Sequence, residues 1–420
     1  MDKLCIQGGK ALRGEVSVSG SKNSALPILA ATLLAEGKCV IENVPNLRDI
    51  YTMVKLLRAL GARVTHSGDR ITVEIKGDLK TVAPWKLVST MRASFCVLGP
   101  LVSRVGQAEI SLPGGCVIGP RPVDLHLKGL EALGAQITVD HGYVKCRAKQ
   151  LKGSRVFLGG AFGSSVLATG NVMMAATLAK GVTYIENAAC EPEVVDLAQF
   201  LNKMGAHIKG AGSHLIEVEG VKKLKGTRYR VIPDRIEAGT YVLAGVITRG
   251  DVVVRNATIE HNSALFDKLR EAGVKVTFGK NSIRVRRTGP LRSVDVATHP
   301  YPGFPTDLQA QMMTLMCLTK GISVITEKIY PDRFMHVGEL TRMGARIIKE
   351  GQSGIVNGVK RLSGAHVMAS DLRASAALVL AGLVADGQTD IHRVYHLDRG
   401  YEKIEEKLGA LGAKIWREKE

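Results

Sequence analysis

The chain has 420 residues, 45% of them hydrophobic and 5% aromatic, and carries 57 Lys and Arg against 39 Asp and Glu for a net charge of +18. A single core rarely grows past about 250–300 residues, so two domains are expected, and the cationic excess calls for nucleic acid, an anionic membrane surface or small polyanions. Seven scattered cysteines without a CxxC pair argue against a disulfide framework or thiolate zinc site. No secretory leader opens the chain and no apolar run reaches the roughly 20 residues that span a bilayer, so it reads as cytoplasmic.

Residues 1–21 precede any complete repeat and are expected to finish the sheet of the last one. From there a pattern of about 70 residues returns six times. It opens on a segment apolar on nearly every side: ALPILAATLLAEG (25–37), ASFCVLGPLVSRVG (93–106), TGNVMMAATLAKG (169–181), TYVLAGVITRG (240–250), QMMTLMCLTKG (311–321) and SAALVLAGLVADG (375–387). A helix with no polar side must be enclosed by other structure. A strand follows each closing glycine, as in CVIENV (39–44), and then an amphipathic helix, as in DIYTMVKLLRALGA (49–62) with Leu56, Leu57 and Leu60 at helical spacing. Its last glycine, repeated as Gly61, Gly134, Gly205, Gly273, Gly344 and Gly412, suits a left-handed helix cap. RVTHSGDRITVEI (63–75) then reads as a hairpin turning at Ser67-Gly68-Asp69.

Each repeat is thus helix, strand, helix, strand, strand. The predicted fold is α/β, a two-domain inside-out α/β barrel with three sheets outside three enclosed helices in each domain. Residues 22–230 form the first domain and residues 1–21 with 231–420 the second, with the functional site in the cleft between them.

The residues that open the six enclosed helices are polar: SGSKNSALP (19–27), STMRAS (89–94), FGSSVLATG (162–170), PDRIEAG (233–239), GFPTDLQAQ (303–311) and ASDLRAS (369–375). Ser, Thr and Asp there are ordinary caps. Capping does not need Lys22, Arg92, Arg235 or Arg373, and equivalent positions of a repeat share a face. Helix N-termini favour anions by about 0.3–1 kcal/mol each, so an anion-binding cleft is expected.

One loop breaks the repeat. SLPGGCVIGPRPVDLH (111–126) is rich in Gly and Pro, with Cys116 at its middle and Arg121 five residues on. Free cysteines are usually buried small hydrophobes, the reading adopted for Cys5, Cys39, Cys96, Cys146, Cys190 and Cys317. An accessible thiol in a cationic setting is chemically useful instead. His126 is close enough in sequence to leave a thiol–imidazole relay open, although no Cys-His-Asn signature accompanies it.

SGSKN, TMRAS, LPGGCxIGxRPVDLH, ENAAxEPEVVD, PDRIEAGTY, PGFPTDLQAQ, RFMHVGEL, SDLRAS and HxDRGYE follow one another from the first residues to the last. Together they resemble the UDP-N-acetylglucosamine (UDP-GlcNAc) enolpyruvyl transferase family, and the cysteine loop is specific to that family within the wider enolpyruvyl transferase group. The resemblance implies the enolpyruvyl transferase fold and transfer of the enolpyruvyl group of phosphoenolpyruvate to the 3'-hydroxyl of UDP-GlcNAc. Phosphate is released, in the first committed step of peptidoglycan synthesis. It also implies fosfomycin as an inhibitor, no metal or organic cofactor, and a use for the charge that needs neither nucleic acid nor membrane.

By the same resemblance Lys22, Arg121 and Arg399 hold the phosphate and carboxylate of phosphoenolpyruvate, and Asn23 hydrogen-bonds the tetrahedral intermediate. Arg92, the run Arg121, Pro122, Val123, Asp124 and Leu125, and Ser165, Val166 and Ile329 line the nucleotide sugar. Arg333 and Arg373 are cleft arginines. Cys116 is the proton donor and the site of a covalent phospholactoyl adduct, and Asp307 is the base near the sugar hydroxyl. GGAFGSSVLATG (159–170) lacks the Lys or Pro found there in many relatives, Tyr51 stands at an often acidic position, and Cys190 at one often Arg.

The nearest alternative is another enolpyruvyl transferase such as 3-phosphoshikimate 1-carboxyvinyltransferase, against which the cysteine loop argues. A nucleic-acid binder related to RNA 3'-phosphate cyclase is a second, but two Trp and no basic-aromatic stretch leave it without stacking platforms. A catalytically silent paralogue is a third, opposed by the presence of Lys22, Cys116, Asp307 and Arg399.

Overall fold

The computed structural model describes residues 2–113, 123–161 and 163–420. The chain forms two compact units: a middle unit, Gly20–Ile232, and a split unit, Met1–Ser19 with Pro233–Glu420. Among the described residues each contains three four-stranded sheets.

In the middle unit the sheets share one plan, seen in the order Arg228–Arg230, Lys38–Glu42, Arg70–Glu74, Arg63–Ser67. The first pair is parallel and the others antiparallel. Three enclosed helical segments pack against one another: Lys22–Ala31, Arg92–Val97 continuing as Leu98–Val105, and Val166–Ala176. Leu26, Ile28 and Leu29 of the first are almost fully buried, each worth about 1.5–3 kcal/mol of transfer free energy. Truncating one, as in Leu29→Ala, would cost about 2–5 kcal/mol once the cavity is counted.

The second segment is 3-10 before it becomes α-helical, and Asn171 of the neighbouring helix bridges the junction. Its Oδ1 accepts from the Gly99 amide at 2.7 Å and its Nδ2 donates to the Phe95 carbonyl at 3.1 Å. The approach requires glycine, because a Cβ on residue 99 would lie 2.3 Å from the Asn171 carbonyl oxygen.

The split unit encloses Arg235–Ile247, Gln309–Cys317 and Leu372–Gly382. Its sheets follow the same plan, with one difference from the sequence expectation. Residues 1–21 do not all complete the last sheet. Asp2–Gln7 does, lying between Gln388–His392 and Lys414–Lys419, whereas Arg13–Ser17 pairs in parallel with Asp251–Arg255 in another sheet. Gly8 lets the chain leave the first of these strands: a Cβ there would lie 2.2 Å from the Ala385 carbonyl oxygen.

The glycines that close the amphipathic helices, from Gly61 to Gly412, are all left-handed. In the fourth repeat Arg249 takes the positive φ instead of Gly250. Gly250 is needed for space, since a Cβ would lie 2.2 Å from the Leu12 carbonyl oxygen.

Buried carboxylates hold the chain where it leaves each unit. In the split unit Glu237 accepts from the Ser19 amide at 2.7 Å and from Lys407 Nζ at 2.6 Å. In the middle unit Asp196 accepts from the Ser24 hydroxyl, from the Tyr229 hydroxyl at 2.5 Å and from the Ile232 amide at 3.3 Å. Among the described residues no helix is long and apolar enough to cross a membrane.

Candidate active site

In the middle unit the cations expected at helix starts stand there. Lys22 is the first residue of its helix behind the Ser21 cap, and Arg92 opens the 3-10 segment. Lys22 Nζ lies 3.1 Å from Asp49 Oδ2, and both residues are buried. Asp49 sits in the first turn of Arg48–Ala59, where the helix dipole favours a carboxylate. Asn23 follows Lys22, and Pro27 lacks the N–H that would have bonded the Asn23 carbonyl within the helix.

Ser165 caps Val166–Ala176 by accepting from the Ala168 amide at 3.3 Å, and Val166 is the first helical residue. Asp124 and Leu125 open Asp124–Ala132, behind Val123. Cys116, Arg121 and Pro122 lie outside the described residues.

His126 has a structural role. It is buried, its Nδ1 lies 3.0 Å from Asn171 Nδ2, and its ring meets Phe95 edge-on. Burial first, and Arg92 second, push its pKa down to about 3, so it stays neutral and has no basicity to offer a thiol at neutral pH. The six cysteines other than Cys116 are buried, and burial pushes the thiols of Cys96, Cys146 and Cys317 up to about 12, as suits inert core residues.

In the split unit Asp307 is clamped. Its Oδ1 accepts from Arg333 Nη1 at 2.8 Å and its Oδ2 from Arg373 Nη2 at 2.7 Å. Burial pushes the Asp307 carboxyl up, but the two guanidiniums overrule it and hold the group well below the usual carboxylate range. Asp307 is therefore an ionised acceptor whose basicity is held down while both contacts last. Arg373 reaches this position as the second residue of its helix, behind the Asp371 cap that accepts from the Arg373 and Ala374 amides.

Around the clamp runs a polar network. Arg373 Nη1 donates to the Tyr401 hydroxyl at 3.2 Å, which lies 2.9 Å from Thr240 Oγ1 and accepts from Gln311 Nε2 at 3.2 Å. Glu327 holds the Ile329 amide at 2.8 Å and the Thr306 hydroxyl at 2.8 Å, and Thr306 in turn accepts from Arg333. Arg399 ends the 3-10 segment Val394–Arg399. Its charge, after burial, helps hold the His396 imidazole below its ordinary value.

Asp307, Arg333 and Arg373 thus form one cluster, and Lys22 pairs with a residue that sequence reasoning passed over. Asp49 and Glu327 were missed. Thr240, Gln311, Asp371 and Tyr401 lay inside the motifs PDRIEAGTY, PTDLQAQ, SDLRAS and HxDRGYE, which was the available signal. Among the described residues no group of three or more His, Cys, Asp or Glu side chains is gathered to hold a metal ion.

A model of the family EPSP synthase (3-phosphoshikimate 1-carboxyvinyltransferase) matches residues 6–408. The UDP-N-acetylglucosamine 1-carboxyvinyltransferase of Geotalea daltonii is 56% identical over 420 residues, covering all of both chains. The enzyme 1 of that name from Caldanaerobacter subterraneus is 54% identical over 416 residues, covering 99% of both. The chain belongs to the UDP-N-acetylglucosamine 1-carboxyvinyltransferase family. Among solved structures, the enolpyruvyl transferase NikO from Streptomyces tendae matches with a TM-score of 0.89 at 27% identity, covering 99% of this chain and 98% of that one. EPSP synthase from Acinetobacter baumannii matches with a TM-score of 0.76 at 20% identity over all of both chains, a likeness of fold. As a member of the 1-carboxyvinyltransferase family, the chain is an α/β enzyme of the enolpyruvyl transferase type acting on small molecules.

Proposed function

We propose that this chain transfers the enolpyruvyl group of phosphoenolpyruvate to the 3'-hydroxyl of UDP-GlcNAc with release of phosphate, the first committed step of peptidoglycan synthesis, in the cytoplasm. Identity of 53–56% to carboxyvinyltransferases of that name along the whole chain carries this reading over the shikimate-pathway alternative. In the same reading the sheets and enclosed helices of each unit are three repeats of an inside-out α/β barrel, and residues of both units act on one substrate pair.

The 3'-oxygen bonds to C2 of phosphoenolpyruvate while C3 gains a proton from the Cys116 thiol. The hydroxyl proton passes to a base, for which Asp307 is the candidate. C3 then returns a proton to the Cys116 thiolate left by the first step as the C2–O bond to phosphate breaks, restoring the vinyl group and the thiol. Lys22, Arg121 and Arg399 bind phosphate and carboxylate, the arginines because a planar fork matches both oxygens. Asn23 hydrogen-bonds the tetrahedral intermediate. Arg92, Pro122, Val123, Asp124, Leu125, Ser165, Val166 and Ile329 line the nucleotide sugar.

The clamp limits when Asp307 can take a proton. One guanidinium has to give up its contact, or the incoming hydroxyl has to share the carboxylate, before its basicity rises. Arg333 and Arg373 in this way tune the base.

Phosphate release measured with each substrate alone and with both together tests the reading, with shikimate 3-phosphate as the competing acceptor. Turnover that requires UDP-GlcNAc is expected, and turnover with shikimate 3-phosphate instead would overturn it. Cys116→Asp keeps a proton donor, so it should retain much of the activity while escaping alkylation by fosfomycin. Full fosfomycin sensitivity in that variant would remove Cys116 from the assigned role.

A further inference from the structure

On the outward face of the last sheet in the split unit, two histidines meet across neighbouring strands. His366–Met368 pairs in parallel with Gln388–His392, so that His366 stands opposite Asp390 and Met368 opposite His392. This diagonal brings His366 Nδ1 to 3.2 Å from His392 Nε2, with the rings stacked at 5.5 Å and 30°. Neither histidine belongs to the assigned chemistry.

We propose that His366 and His392 form a two-nitrogen site for a borderline divalent transition ion such as Ni2+ or Zn2+, with water filling the other positions. The spacing is the first argument. A metal bound at about 2.0–2.1 Å by two imidazoles in tetrahedral geometry sets their nitrogens about 3.3 Å apart. These two stand close to that separation, 3.2 Å apart.

The tautomer is the second argument. His392 Nδ1 is hydrogen-bonded to the Glu420 carboxylate, which can only accept, so the proton sits on Nδ1 and the lone pair of Nε2 faces His366. A carboxylate behind a ligating imidazole fixes its orientation and raises its basicity. Without metal, His366 Nδ1–H donates to that lone pair. With metal, the His366 proton moves to its Nε2 and Nδ1 joins the coordination.

The local charge is mixed. Asp390 Oδ2 lies 3.5 Å from His366 Nδ1 and favours a cation, while Lys3 Nζ, 3.5 Å from the same carboxylate oxygen and 3.1 Å from Glu418, opposes it. Imidazole donors select Ni2+, Cu2+ and Zn2+ over Mg2+ and Ca2+. A bound ion would fasten His366–Met368, a three-residue strand at the sheet edge, to its neighbour.

Calorimetric titration of the full chain with Ni2+, and separately with Mg2+, tests the proposal against His366→Asn and His392→Asn. One Ni2+ per chain, at least tenfold weaker binding in either variant, a melting temperature raised by Ni2+ only in the parent, and unchanged phosphate release are expected. Absence of Ni2+ binding, Ni2+ binding that neither variant weakens, or equal binding of Mg2+ would each overturn it. Circular dichroism of the two variants separates lost ligation from lost folding.

Discussion

Lys22 and Asp307 stand at the heads of enclosed helices in different units, and their surroundings are opposite in sign. Lys22 is a cation beside a buried carboxylate, Asp49, whereas Asp307 is a carboxylate gripped by two guanidiniums. The middle unit offers a compact ammonium, a point charge beside the buried Asp49. The split unit offers planar forks that fix both oxygens of one carboxylate. The first site sets a cation beside a carboxylate, and the second a carboxylate between two cations.

Asp307→Asn should break this contrast most severely. Phosphate release should fall by about 100- to 10,000-fold, the usual worth of a positioned acid or base. The buried Arg333 and Arg373 would lose their partly buried counter-charge, at a cost of up to about 3–5 kcal/mol, read by denaturant unfolding. The sign with pH follows from the depressed folded pKa. The carboxylate contributes its full stability above its unfolded pKa, near 3.9, and loses that contribution as pH falls further. The stability gap between parent and variant should therefore be constant near neutrality and close below about pH 4.

Lys22→Gln comes next. It removes the charge that would meet phosphoenolpyruvate and one partner of Asp49, so kcat/KM for phosphoenolpyruvate should fall about 100-fold, toward the lower end of the 2–5 kcal/mol for truncated buried charge pairs. An effect no larger on this ratio than on UDP-GlcNAc affinity would remove Lys22 from the phosphoenolpyruvate role and with it the functional side of the comparison.

His126→Gln should have the smallest effect and sharpens the comparison from outside it. The amide oxygen can accept from Asn171 as the imidazole does, so melting should drop by a few degrees, about 1–2 kcal/mol. The pH profile of turnover should not move, because the parent imidazole is already neutral.

The scaffold was legible wherever a physical requirement recurred. Helices without a polar face, left-handed glycines and the turn at Gly68 each repeat or carry a strong local signal. The short parallel strands, such as Val82–Ala83, were missed because two residues hold no periodicity. The Lys22–Asp49 contact was missed for another reason. It joins the starts of two helices 27 residues apart and rests on a side chain that could as well have been a solvated helix-start acid. The arginines were marked by motif, but their shared hold on Asp307 joins segments 26 and 66 residues away and follows from packing alone.

Among the described residues the strand Asp2–Gln7 pairs with Gln388–His392 and Lys414–Lys419. A ribosome making this chain therefore releases that strand long before its neighbours. The middle unit can complete its own pairing while the opening strand still waits with both edges bare. At about 5–20 residues per second the wait after residue 232 lasts roughly 10–40 s. The charges of Asp2 and Lys3 at its start are well placed to discourage other edges from pairing with it meanwhile.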